Sequence, residues 1–411
     1  MRTLLAITFF ALAALSGQAL ALTFTVGNAA DIPDALPGDG KCSFIFNHPN
    51  PNDPTVCTLR AAIMEANATV AHDTIVLQAG ITYLLTIPGQ NEDNAATGDL
   101  DIRQPVTIRP PLFFGIPVGQ ATINANGLER VFDIMDVHGV GVTLIGLTIR
   151  GGNPTDSVRI FASKAMLSFL DISAIHGNGL GIYNNMDEET TVIYSTVSSG
   201  TEDNNDAIFV LSARAVIESS TIVDSTGYGI NIIGAGSKVK VRNSTVSGNP
   251  DGGIRTSGTQ ADIDNSTIAN NGIGGVISIA SGAIVATNTL FASNGIGVNG
   301  NCLANGGTFQ MKDNLYDDAT CPPGGMIDNS LFNTPAFLSL LGDHGGPTPT
   351  HRPMVNSEAL DFIAAADCPG NEYDQRGMPR QVAFTGGDAR CDLGSVELET
   401  DVIFFDQVDR L

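Results

Sequence analysis

Val216-Ile217-Glu218-Ser219-Ser220-Thr221-Ile222 recurs with small changes as Val241-Arg242-Asn243-Ser244-Thr245-Val246 and as Ile263-Asp264-Asn265-Ser266-Thr267-Ile268. The pattern extends on both sides, so that threonines stand in steps of 25, 24, 22 and 22 residues at positions 196, 221, 245, 267 and 289. A second repeat runs in phase with it, in the pairs Gly229-Ile230, Gly253-Ile254, Gly275-Val276 and Gly297-Val298. Self-similarity at this period indicates a solenoid.

The composition of each repeat decides which solenoid this is. Each unit holds two or three short runs of Val, Ile and Thr separated by Asn, Gly, Ser and Asp, which is typical of strands and turns. The units lack the framework of a leucine-rich repeat, and they are too short for propeller blades. We therefore predict an all-β parallel β-helix in which equivalent strands pair from coil to coil. At about 24 residues per coil, the span 74–337 accommodates roughly ten or eleven coils.

Charged residues test the register of this repeat. Alignment of the threonines places Glu218, Arg242 and Asp264 in one outer column, and it places Lys240 beside Asp262. A negative-positive-negative column is what in-register parallel strands favour. The alternative is a solvated surface without pairing.

Two asparagines also occupy equivalent positions. Asn249 and Asn271 each lie five residues before the repeating Ile or Val. Stacked amide side chains bond to their equivalents above and below. We predict a structural ladder here rather than a catalytic role.

The start of the chain has the features of an export signal. Arg2 precedes an apolar run from Leu4 to Leu15, and Ala19-Leu20-Ala21 provides a cleavage site. The alternative, a membrane anchor, needs a longer apolar run, and no other stretch of about 18 apolar residues follows. We therefore expect residues 1–21 to be removed and the mature protein to be secreted or associated with the cell surface, with no transmembrane segment.

The overall charge limits the partners. The chain of 411 residues carries a formal net charge of −23. Such a chain repels nucleic acid and anionic membranes. It remains compatible with bound cations and with neutral or cationic glycans.

The six cysteines fall into three close pairs, Cys42 with Cys57, Cys302 with Cys321, and Cys368 with Cys391. Six cysteines allow fifteen connectivities, and the sequence does not choose among them rigorously. Local pairing is favoured because each pair brackets a loop outside the regular coils, in an oxidising compartment. A zinc site is the rival interpretation, although the chain has no Cys-x-x-Cys.

A single helix is predicted, at Thr58 to Ala68. Leu59, Ala62, Ile63 and Ala66 form one apolar face, and Thr58 is placed to cap the first turn. A short amphipathic helix before a β-solenoid is expected to cover the open end of its core.

Both ends of the chain resemble known modules. Cys57-Thr58-Leu59-Arg60-Ala61-Ala62-Ile63-Met64-Glu65-Ala66-Asn67-Ala68, preceded by Pro37-Gly38-Asp39-Gly40-Lys41-Cys42, resembles the CSLREA domain, with Thr58 and Ala61 as departures. The far end resembles the choice-of-anchor Q domain through the segments 345–351, 374–380 and 391–397. The resemblance implies an exported bacterial protein with right-handed β-helix repeats. It implies no activity and no catalytic residues.

The predicted organisation follows from these features. It comprises a signal peptide (1–21), an N-terminal cap with the CSLREA-like motif (22–73), β-helix repeats (74–337), a choice-of-anchor Q-like region (338–397) and a tail (398–411). Anchor-Q proteins usually continue into an anchoring segment, whereas this tail is short. We interpret it as a closing strand, with an export signal as the alternative.

Candidate catalytic residues are few. Many β-helix proteins cleave acidic polysaccharides, either by proton abstraction or with paired carboxylates. Acidic residues in neighbouring coils are candidates for a converging site: Asp187, Glu188, Glu189, Glu202, Asp203 and Asp206. Arg214, Lys238, Lys240 and Arg255 are candidate bases or clamps, and His176 in His176-Gly177-Asn178-Gly179 partly matches a Gly-His-Gly motif. For each of them, a solvated turn is the structural alternative.

The remaining candidates concern metal ions. Asp31, Asp34 and Asp39 are candidate calcium ligands, although the full spacing of a calcium loop is missing. No other cofactor is indicated. The leading functional hypothesis is a non-catalytic surface solenoid that binds a glycan or a surface protein. The alternative is a polysaccharide lyase or glycoside hydrolase that uses the carboxylates at 187–206.

Overall fold

The computed structural model describes residues 20–50, 53–90, 92–201, 204–295, 299–322, 328–368, 373–380 and 390–398. These residues form one α-helix, α1 (Leu59–Asn67), one turn of 3₁₀ helix (Pro54–Val56) and many short strands. In chain order the strands are β1 (Thr23–Thr25), β2 (Asp73–Val76), β3 (Thr82–Leu84), β4 (Leu100–Ile102), β5 (Val106–Arg109), β6 (Leu112–Phe113), β7 (Ile116–Pro117), β8 (Ala121–Asn124), β9 (Phe132–Met135), β10 (Val142–Ile145), β11 (Leu147–Gly152), β12 (Val158–Phe161), β13 (Ala165–Ser168), β14 (Asp171–Ala174), β15 (Leu180–Tyr183), β16 (Glu189–Ile193), β17 (Thr196–Val197), β18 (Ile208–Leu211), β19 (Arg214–Glu218), β20 (Thr221–Val223), β21 (Tyr228–Ile233), β22 (Lys238–Arg242), β23 (Thr245–Ser247), β24 (Gly252–Ser257), β25 (Gln260–Asp264), β26 (Thr267–Ala269), β27 (Val276–Ile279), β28 (Ala283–Thr287), β29 (Leu290–Ala292), β30 (Cys302–Asn305), β31 (Thr308–Lys312) and β32 (Leu315–Tyr316).

Three parallel sheets run the length of the molecule. Sheet 1 has the order β1-β2-β5-β10-β13-β16-β19-β22-β25-β28-β31, sheet 2 has the order β3-β8-β11-β14-β17-β20-β23-β26-β29-β32, and sheet 3 has the order β30-β27-β24-β21-β18-β15-β12-β9-β4. Each coil adds one strand to each sheet, which confirms the predicted parallel β-helix. β6 and β7 form a small antiparallel hairpin.

The number of complete coils is smaller than predicted. Among the described residues sheet 3 has nine strands, so nine coils contribute to all three sheets, against the predicted ten or eleven. β1 adds an extra strand to sheet 1 at the start, and the last coil ends after β32. The chain beyond that strand folds back over sheet 2.

The threonine repeat marks the register of sheet 2. Directly paired strand positions carry the threonine column, which we define as Thr196, Thr221, Thr245 and Thr267. The prediction was wrong for Thr289, because the partner of Thr267 in the next coil is Leu290. Thr289 instead occupies the turn position equivalent to Ser266. Gly297-Val298 lies outside the described residues, and Cys302 pairs with Val276 in the next coil.

The charged column on sheet 1 is confirmed. Glu218, Arg242 and Asp264 are paired across three successive strands, and Arg242 Nε lies 3.8 Å from Asp264 Oδ2. Asp262 stands beside Lys240, as predicted, but its ion pair is with Lys238 Nζ at 3.1 Å. The long lysine side chain reaches diagonally to the next strand.

The predicted asparagine ladder is also present. Asn249 Nδ2 donates to Asn271 Oδ1 at 2.9 Å, and Asn271 Nδ2 donates to Asn294 Oδ1 at the same distance. Asn294 continues the ladder to Asn301 at 2.8 Å. All of these amides are buried. The ladder therefore satisfies polar groups that the turn between sheets 2 and 3 buries.

Helix α1 covers the first coil. Thr58 caps it by accepting a hydrogen bond from the Ala61 N–H, and the apolar face packs against β2 and β4 within the main core. At the other end of the core three stacked rings, those of Phe291, Tyr316 and Phe332, have centroids 5.2 and 5.0 Å apart. Apolar side chains thus cover both ends of the core.

The described residues of the C-terminal region, 338–368, 373–380 and 390–398, lie on the outer face of sheet 2. Its apolar residues pack against Leu290 and Leu315 in a second hydrophobic cluster. Its polar residues bind the threonine column: Thr245 Oγ1 donates to Gln375 Oε1 at 2.7 Å, and the Ser395 N–H donates to Thr267 Oγ1 at 3.0 Å. The repeated threonines therefore provide the docking surface for this region.

All three predicted disulfides are present, Cys42–Cys57, Cys302–Cys321 and Cys368–Cys391. Each closes a local loop, and Cys302 is itself the first residue of β30. Such bridges typically add about 2–4 kcal/mol to the free energy of unfolding. Within the described part of the chain, no helix is both long and apolar enough to cross a membrane.

Candidate functional site

The outer face of sheet 3 carries two parallel rows of side chains, which together we call the third-sheet face. The row that we call the polar row has five charged or amide members beside Gly181 and Phe209, and it occupies paired positions in successive strands: Asp101, Asp133, Arg159, Gly181, Phe209, Asn231 and Arg255. The apolar row lies two residues further along in five of these strands, from β9 to β21, and is partly exposed: Met135, Phe161, Tyr183, Leu211 and Ile233. Both rows point outward because alternate strand residues share a face.

At the first coils the third-sheet face is strongly ionic. Arg130 Nη1 donates to Asp99 Oδ2 at 3.0 Å and to Asp133 Oδ2 at 3.3 Å. Arg159 also binds Asp133, with its Nε 2.8 Å from Oδ1 and its Nη2 on Oδ2. Asp101 stands beside this network, and the three carboxylates are almost completely buried.

Asp101 is the carboxylate that the two arginines do not reach. Its Oδ2 accepts from the Ala95 N–H at 3.0 Å, whereas Oδ1 is buried without a hydrogen-bond partner among the described residues. Burial, reinforced by the charge of Asp99, raises the pKa of Asp101 to about 7. This carboxyl group is therefore partly protonated near neutral pH.

One oxygen from each of Asp99, Asp101 and Asp133 lies within 4.8 Å of the others. Three carboxylate oxygens are the ligand chemistry of a hard cation such as calcium. The guanidinium groups of Arg130 and Arg159 already bind Asp99 and Asp133, so a cation would compete with them. The hydrogen bonds that Asp99 and Asp133 already accept favour an ionic network that holds the two arginines in place.

A tyrosine lies across the middle of the third-sheet face. The hydroxyl of Tyr183 donates to Asp156 Oδ2 at 2.8 Å, and Asn178 Nδ2 donates to Asp156 Oδ1 at 2.8 Å. Gly181 leaves room for this arrangement, because a Cβ there would lie 2.3 Å from Asp156 Oδ2. The ring of Tyr183 contacts that of Phe209, with centroids 5.6 Å apart.

Further along, Asp206 begins a second polar network. Its Oδ1 accepts from the Tyr228 N–H and its Oδ2 from Asn231 Nδ2, both at 2.8 Å. Asn231 Oδ1 accepts from Arg255 Nη1 at 2.7 Å, and this guanidinium lies 5.4 Å above the ring of Tyr228. Burial raises the pKa of Asp206 to about 6, against the opposing hydrogen bond from Asn231.

These networks share one design. The oxygens of Asp133, Asp156 and Asp206 accept hydrogen bonds from neighbouring side chains or backbone groups. The carboxylates therefore fix the arginines, the tyrosine and the asparagine at the surface, and guanidinium and aromatic groups are left to meet a ligand. Fixed donors beside apolar rings are typical of ligand-binding surfaces.

Of the carboxylates predicted at 187–206, the structure separates Asp187, Glu189 and Asp206, and Glu202 lies outside the described residues. Asp206 lies in the turn that enters sheet 3. Asp187 is exposed in the turn that leaves this sheet, and Glu189 begins β16 on sheet 1, paired with Arg214. The strands are parallel, so Asp187 and Asp206 stand at opposite ends of the sheet and do not converge. Asp203 lies outside the described residues.

His176 lies in the same turn region as Asp206, one coil earlier. Its backbone packs against Gly200, where an added Cβ would lie 2.7 Å from His176 Cα. The side chain is partly exposed. A catalytic role for His176 remains a prediction.

The three candidate calcium ligands of the N-terminal loop have separate partners. Asp31 forms an ion pair with the buried Arg60, at 2.5 Å between Oδ1 and Nε. Asp34 accepts from the N–H groups of Leu36 and Ser43. Asp39 lies 3.8 Å from Lys41 Nζ. Among the described residues, only Asp99, Asp101 and Asp133 form a three-carboxylate group.

Asp99, Asp101 and Asp133 were not predicted from the sequence. A usable signal was present in Leu100-Asp101-Ile102 and Phe132-Asp133-Ile134, where an acidic residue stands between two core positions at equivalent places in successive coils. Phe209 and Arg255 likewise each stand between two core positions of their strands, so this position, followed from coil to coil, locates the whole polar row.

The fold and its outer face define the class of this protein, a parallel β-helix with a polar and aromatic lateral surface. The family model described as "Right handed beta helix region" matches residues 178–331, in agreement with the predicted hand. No curated protein shows significant similarity to the chain.

Two solved structures are similar to the chain. Pectate lyase Pel9A is 14% identical, with a TM-score of 0.53, and the match covers 93% of this chain and 97% of that one. The A-module of mannuronan C-5 epimerase AlgE4 from Azotobacter vinelandii is 13% identical, with a TM-score of 0.31, over 72% of this chain and 97% of that one. At this identity the likeness to the lyase shows the fold alone, and the likeness to the epimerase carries no argument.

Proposed function

We propose that this protein is exported and binds an extended glycan along the third-sheet face without cleaving it. The observation that carries the proposal is that the two rows stand side by side over five successive coils, from β9 to β21. A glycan presents hydroxyl groups along its rim and C–H groups on its ring faces, and so it matches donors that alternate with aromatic and aliphatic side chains.

The outer faces of sheets 1 and 2 have fewer accessible groups that suit a glycan. The C-terminal region covers much of sheet 2, and the outer side of sheet 1 carries paired charges such as Arg242 with Asp264. Exposed pairs of this kind contribute little and are well solvated. The third-sheet face combines fixed guanidinium groups with the rings of Tyr183 and Phe209.

Export is supported by the three disulfides, which persist in oxidising compartments. The apolar N-terminal segment that resembles a signal peptide lies outside the described residues. The resemblance to the CSLREA and choice-of-anchor Q modules supports display at a bacterial surface. Pectate lyase Pel9A, which has a similar fold, bears the name of an enzyme that acts on a polysaccharide.

Binding is tested with the mature chain and a panel of soluble polysaccharides, including polygalacturonate, alginate and neutral glucans. We expect at least one to bind, and we expect Phe209→Ala and Arg255→Ala each to weaken that binding about tenfold. Arg242→Ala is the matched control, because Arg242 belongs to the same coil but faces outward from sheet 1. A complete lack of binding, or equal losses in the control, would refute the proposal.

Polysaccharide cleavage is the second candidate function. It is favoured by the raised pKa of Asp206, about 6, and of Asp101, about 7, because burial places both near the range of a general acid. Against it, both oxygens of Asp206 already accept hydrogen bonds from the protein. Turnover of any polysaccharide in the panel, lost in Asp206→Asn, would replace the binding proposal with an enzymatic one.

A further inference from the structure

The corner between sheet 1 and sheet 2 repeats one backbone conformation in successive coils. It is adopted by the residue that follows each sheet 1 strand from β10 to β28, with φ between 46° and 63°, and we call these residues the corner column: Gly146, Phe169, Tyr194, Ser219, Asn243, Asn265 and Asn288. Each donates its backbone N–H to a carbonyl of the next coil, as Phe169 does to Ile193 and Tyr194 does to Glu218. The conformation is thus fixed by the stacking of the coils.

Two members of the corner column do not suit that conformation. Positive φ is readily adopted by glycine and tolerated by asparagine, which occupies the column at three later coils. A bulky aromatic residue in this region is an outlier that the surrounding structure must hold in place. Phe169 and Tyr194 nevertheless occupy consecutive coils. Strain of this kind is concentrated at functional sites.

The two aromatic side chains form a platform beside a cavity. Their rings stack with centroids 5.1 Å apart and planes inclined by 27°. The adjoining cavity has a volume of about 560 Å³ and is open to solvent. It is also lined by apolar Ile116, Pro117, Leu170, Pro347 and Pro349 and by polar Gln120, Asp171 and Thr196.

The rest of the corner column is covered. Pro117 packs against Gly146, where a Cβ would lie 2.5 Å from Pro117 Cβ. In the later coils the C-terminal region covers the column. Thr348 Oγ1 donates to the Ser219 carbonyl, and the Gly394 N–H donates to the Asn288 carbonyl. Among the described residues, the covering segments leave the column open toward the cavity at the two aromatic positions.

We propose that this aromatic corner cleft is a binding site for a neutral sugar residue, separate from the third-sheet face. A pyranose ring has an apolar C–H face that stacks on an aromatic ring and a rim of hydroxyl groups. The cleft supplies rings and prolines for the ring face, and it supplies hydrogen-bonding groups in Asp171, Thr196 and Gln120 for the rim. The volume suits a small ligand of one or two sugar rings.

The described residues that line the cleft include no cation that could bind the carboxylate of an acidic sugar. Asp171 is the charged residue among those that line it, and Arg150, which pairs with this carboxylate at 3.0 Å, lies outside the lining. A carboxylate accepts hydrogen bonds from sugar hydroxyls but repels a uronate. A purely aliphatic ligand would remove water from the Asp171 carboxylate and the Thr196 hydroxyl and give them no hydrogen bond in return. The ligand class is therefore an uncharged hexose unit, at the end or at a branch of a glycan.

The test uses isothermal titration of the mature chain with cellobiose, laminaribiose, mannobiose and lactose, and with digalacturonate as the charged probe. We expect at least one neutral disaccharide to bind and digalacturonate to bind more weakly. The diagnostic variants are Phe169→Asn and Tyr194→Asn, because asparagine occupies the same position in later coils and suits positive φ. Each is expected to weaken binding about tenfold while the thermal midpoint stays unchanged or rises.

Two controls complete the experiment. Tyr373→Ala removes an exposed tyrosine of the C-terminal region outside the cleft and should leave binding unchanged. Arg255→Ala separates this site from the third-sheet face, because it should weaken polysaccharide binding there without changing disaccharide binding in the cleft. Failure of every neutral disaccharide to bind, or unchanged affinity in both asparagine variants, would overturn the proposal. So would stronger binding of digalacturonate.

Discussion

At the scale of single residues, the stacking of coils creates buried ionisable groups. A carboxylate on an outer face is flanked by strands on both sides, and in the first coils α1 and its loops cover it as well. Asp99, Asp101 and Asp133 become almost inaccessible in this way, although each stands at an outward position or beside one. Charge pairing offsets the loss of hydration for Asp133, whereas Asp101 keeps a raised pKa because it is buried.

Asp101→Asn should alter the pH dependence of stability. The folded pKa, about 7, lies above the ordinary value of 3.8, so the folded state binds more protons than the unfolded state between those limits. The wild type therefore loses stability as pH rises through this window, by at most about 1.4 kcal/mol per pH unit from this group. The asparagine variant lacks that loss. The free energy of unfolding of the variant minus that of the wild type should therefore be larger at pH 8 than at pH 5.

Urea unfolding at pH 5 and pH 8 measures this difference. Asp93→Asn serves as the control, because Asp93 is largely exposed and pairs only at the surface with Arg103. Equal effects of Asp101→Asn at both pH values would contradict the assignment.

Arg60→Ala should be strongly destabilising. The guanidinium is completely buried, pairs with Asp31 and donates to the carbonyls of Ala95, Gly98 and Asp99. Its removal leaves Asp31 without its buried counter-ion, and we expect a loss of about 3–5 kcal/mol in the free energy of unfolding.

Arg103→Ala provides the comparison for chemical denaturation. Arg103 pairs with the exposed Asp93 at 2.9 Å, and such pairs contribute about 0–1 kcal/mol. Similar losses for Arg60→Ala and Arg103→Ala would mean that the buried pair does not hold the N-terminal loops together.

At the scale of elements, the sequence repeat predicted the strands and their register well. In-phase hydrophobic and threonine positions report directly on coil-to-coil pairing, so Thr221, Thr245 and Thr267 could be stacked correctly. Thr289 was misplaced because its coil shifts the threonine by one position, and the pattern alone does not reveal such a slip.

The candidate site was harder to predict for a physical reason. Its members come from strands more than 20 residues apart, and the early coils that contribute Asp101 and Asp133 have irregular lengths. Asp206 was identified because it belongs to an acidic cluster, but its contacts are with Asn231 in the next coil rather than with Asp187. Phe169 and Tyr194 gave no signal, because positive φ cannot be read from an aromatic residue.

Thr245→Val tests how the C-terminal region docks. The variant removes the hydrogen bond to Gln375 and leaves a buried amide oxygen unsatisfied, at a cost of about 1–3 kcal/mol. We expect faster proteolysis within residues 338–398, and mass spectrometry of the fragments measures the rate. Thr122→Val, on the outer face of sheet 2 in an earlier coil, should leave the cleavage rate unchanged. Unaltered proteolysis of Thr245→Val would show that apolar packing alone holds the region.

Asn271→Ala tests the asparagine ladder. The change removes one buried amide and leaves its neighbours Asn249 and Asn294 with missing partners, so a loss of about 1–3 kcal/mol is expected in equilibrium unfolding. Asn94→Ala, at an exposed loop position, should change stability by less than about 0.5 kcal/mol. A small effect at Asn271 would indicate that water replaces the amide.

At the scale of the whole molecule, the ionisation of several buried carboxyl groups lowers the stability of the fold as pH rises. Burial raises the pKa of each of these side chains: Asp99, Asp101, Asp156, Asp206 and Asp392. Their ionisation costs stability as pH rises from about 4 towards 7. The formal net charge of −23 adds self-repulsion with the same sign.

The thermal midpoint should therefore be higher at pH 5 than at pH 8, as measured by calorimetry. Repeating both scans at about 0.5 M salt screens the surface repulsion but leaves the buried groups largely unaffected. A difference that persists in salt is expected. A midpoint that falls on acidification would show that other groups dominate the pH dependence.

The parallel winding of the coils has a consequence for any polymer that lies on the third-sheet face. Every strand points the same way, and the polar row changes from a network of carboxylates and arginines at Asp101, Asp133 and Arg159 to Asn231 and Arg255 over roughly 30 Å. The two termini of this track are chemically unlike. A glycan with distinct reducing and non-reducing ends, bound there as we propose, would therefore have one preferred orientation on this face.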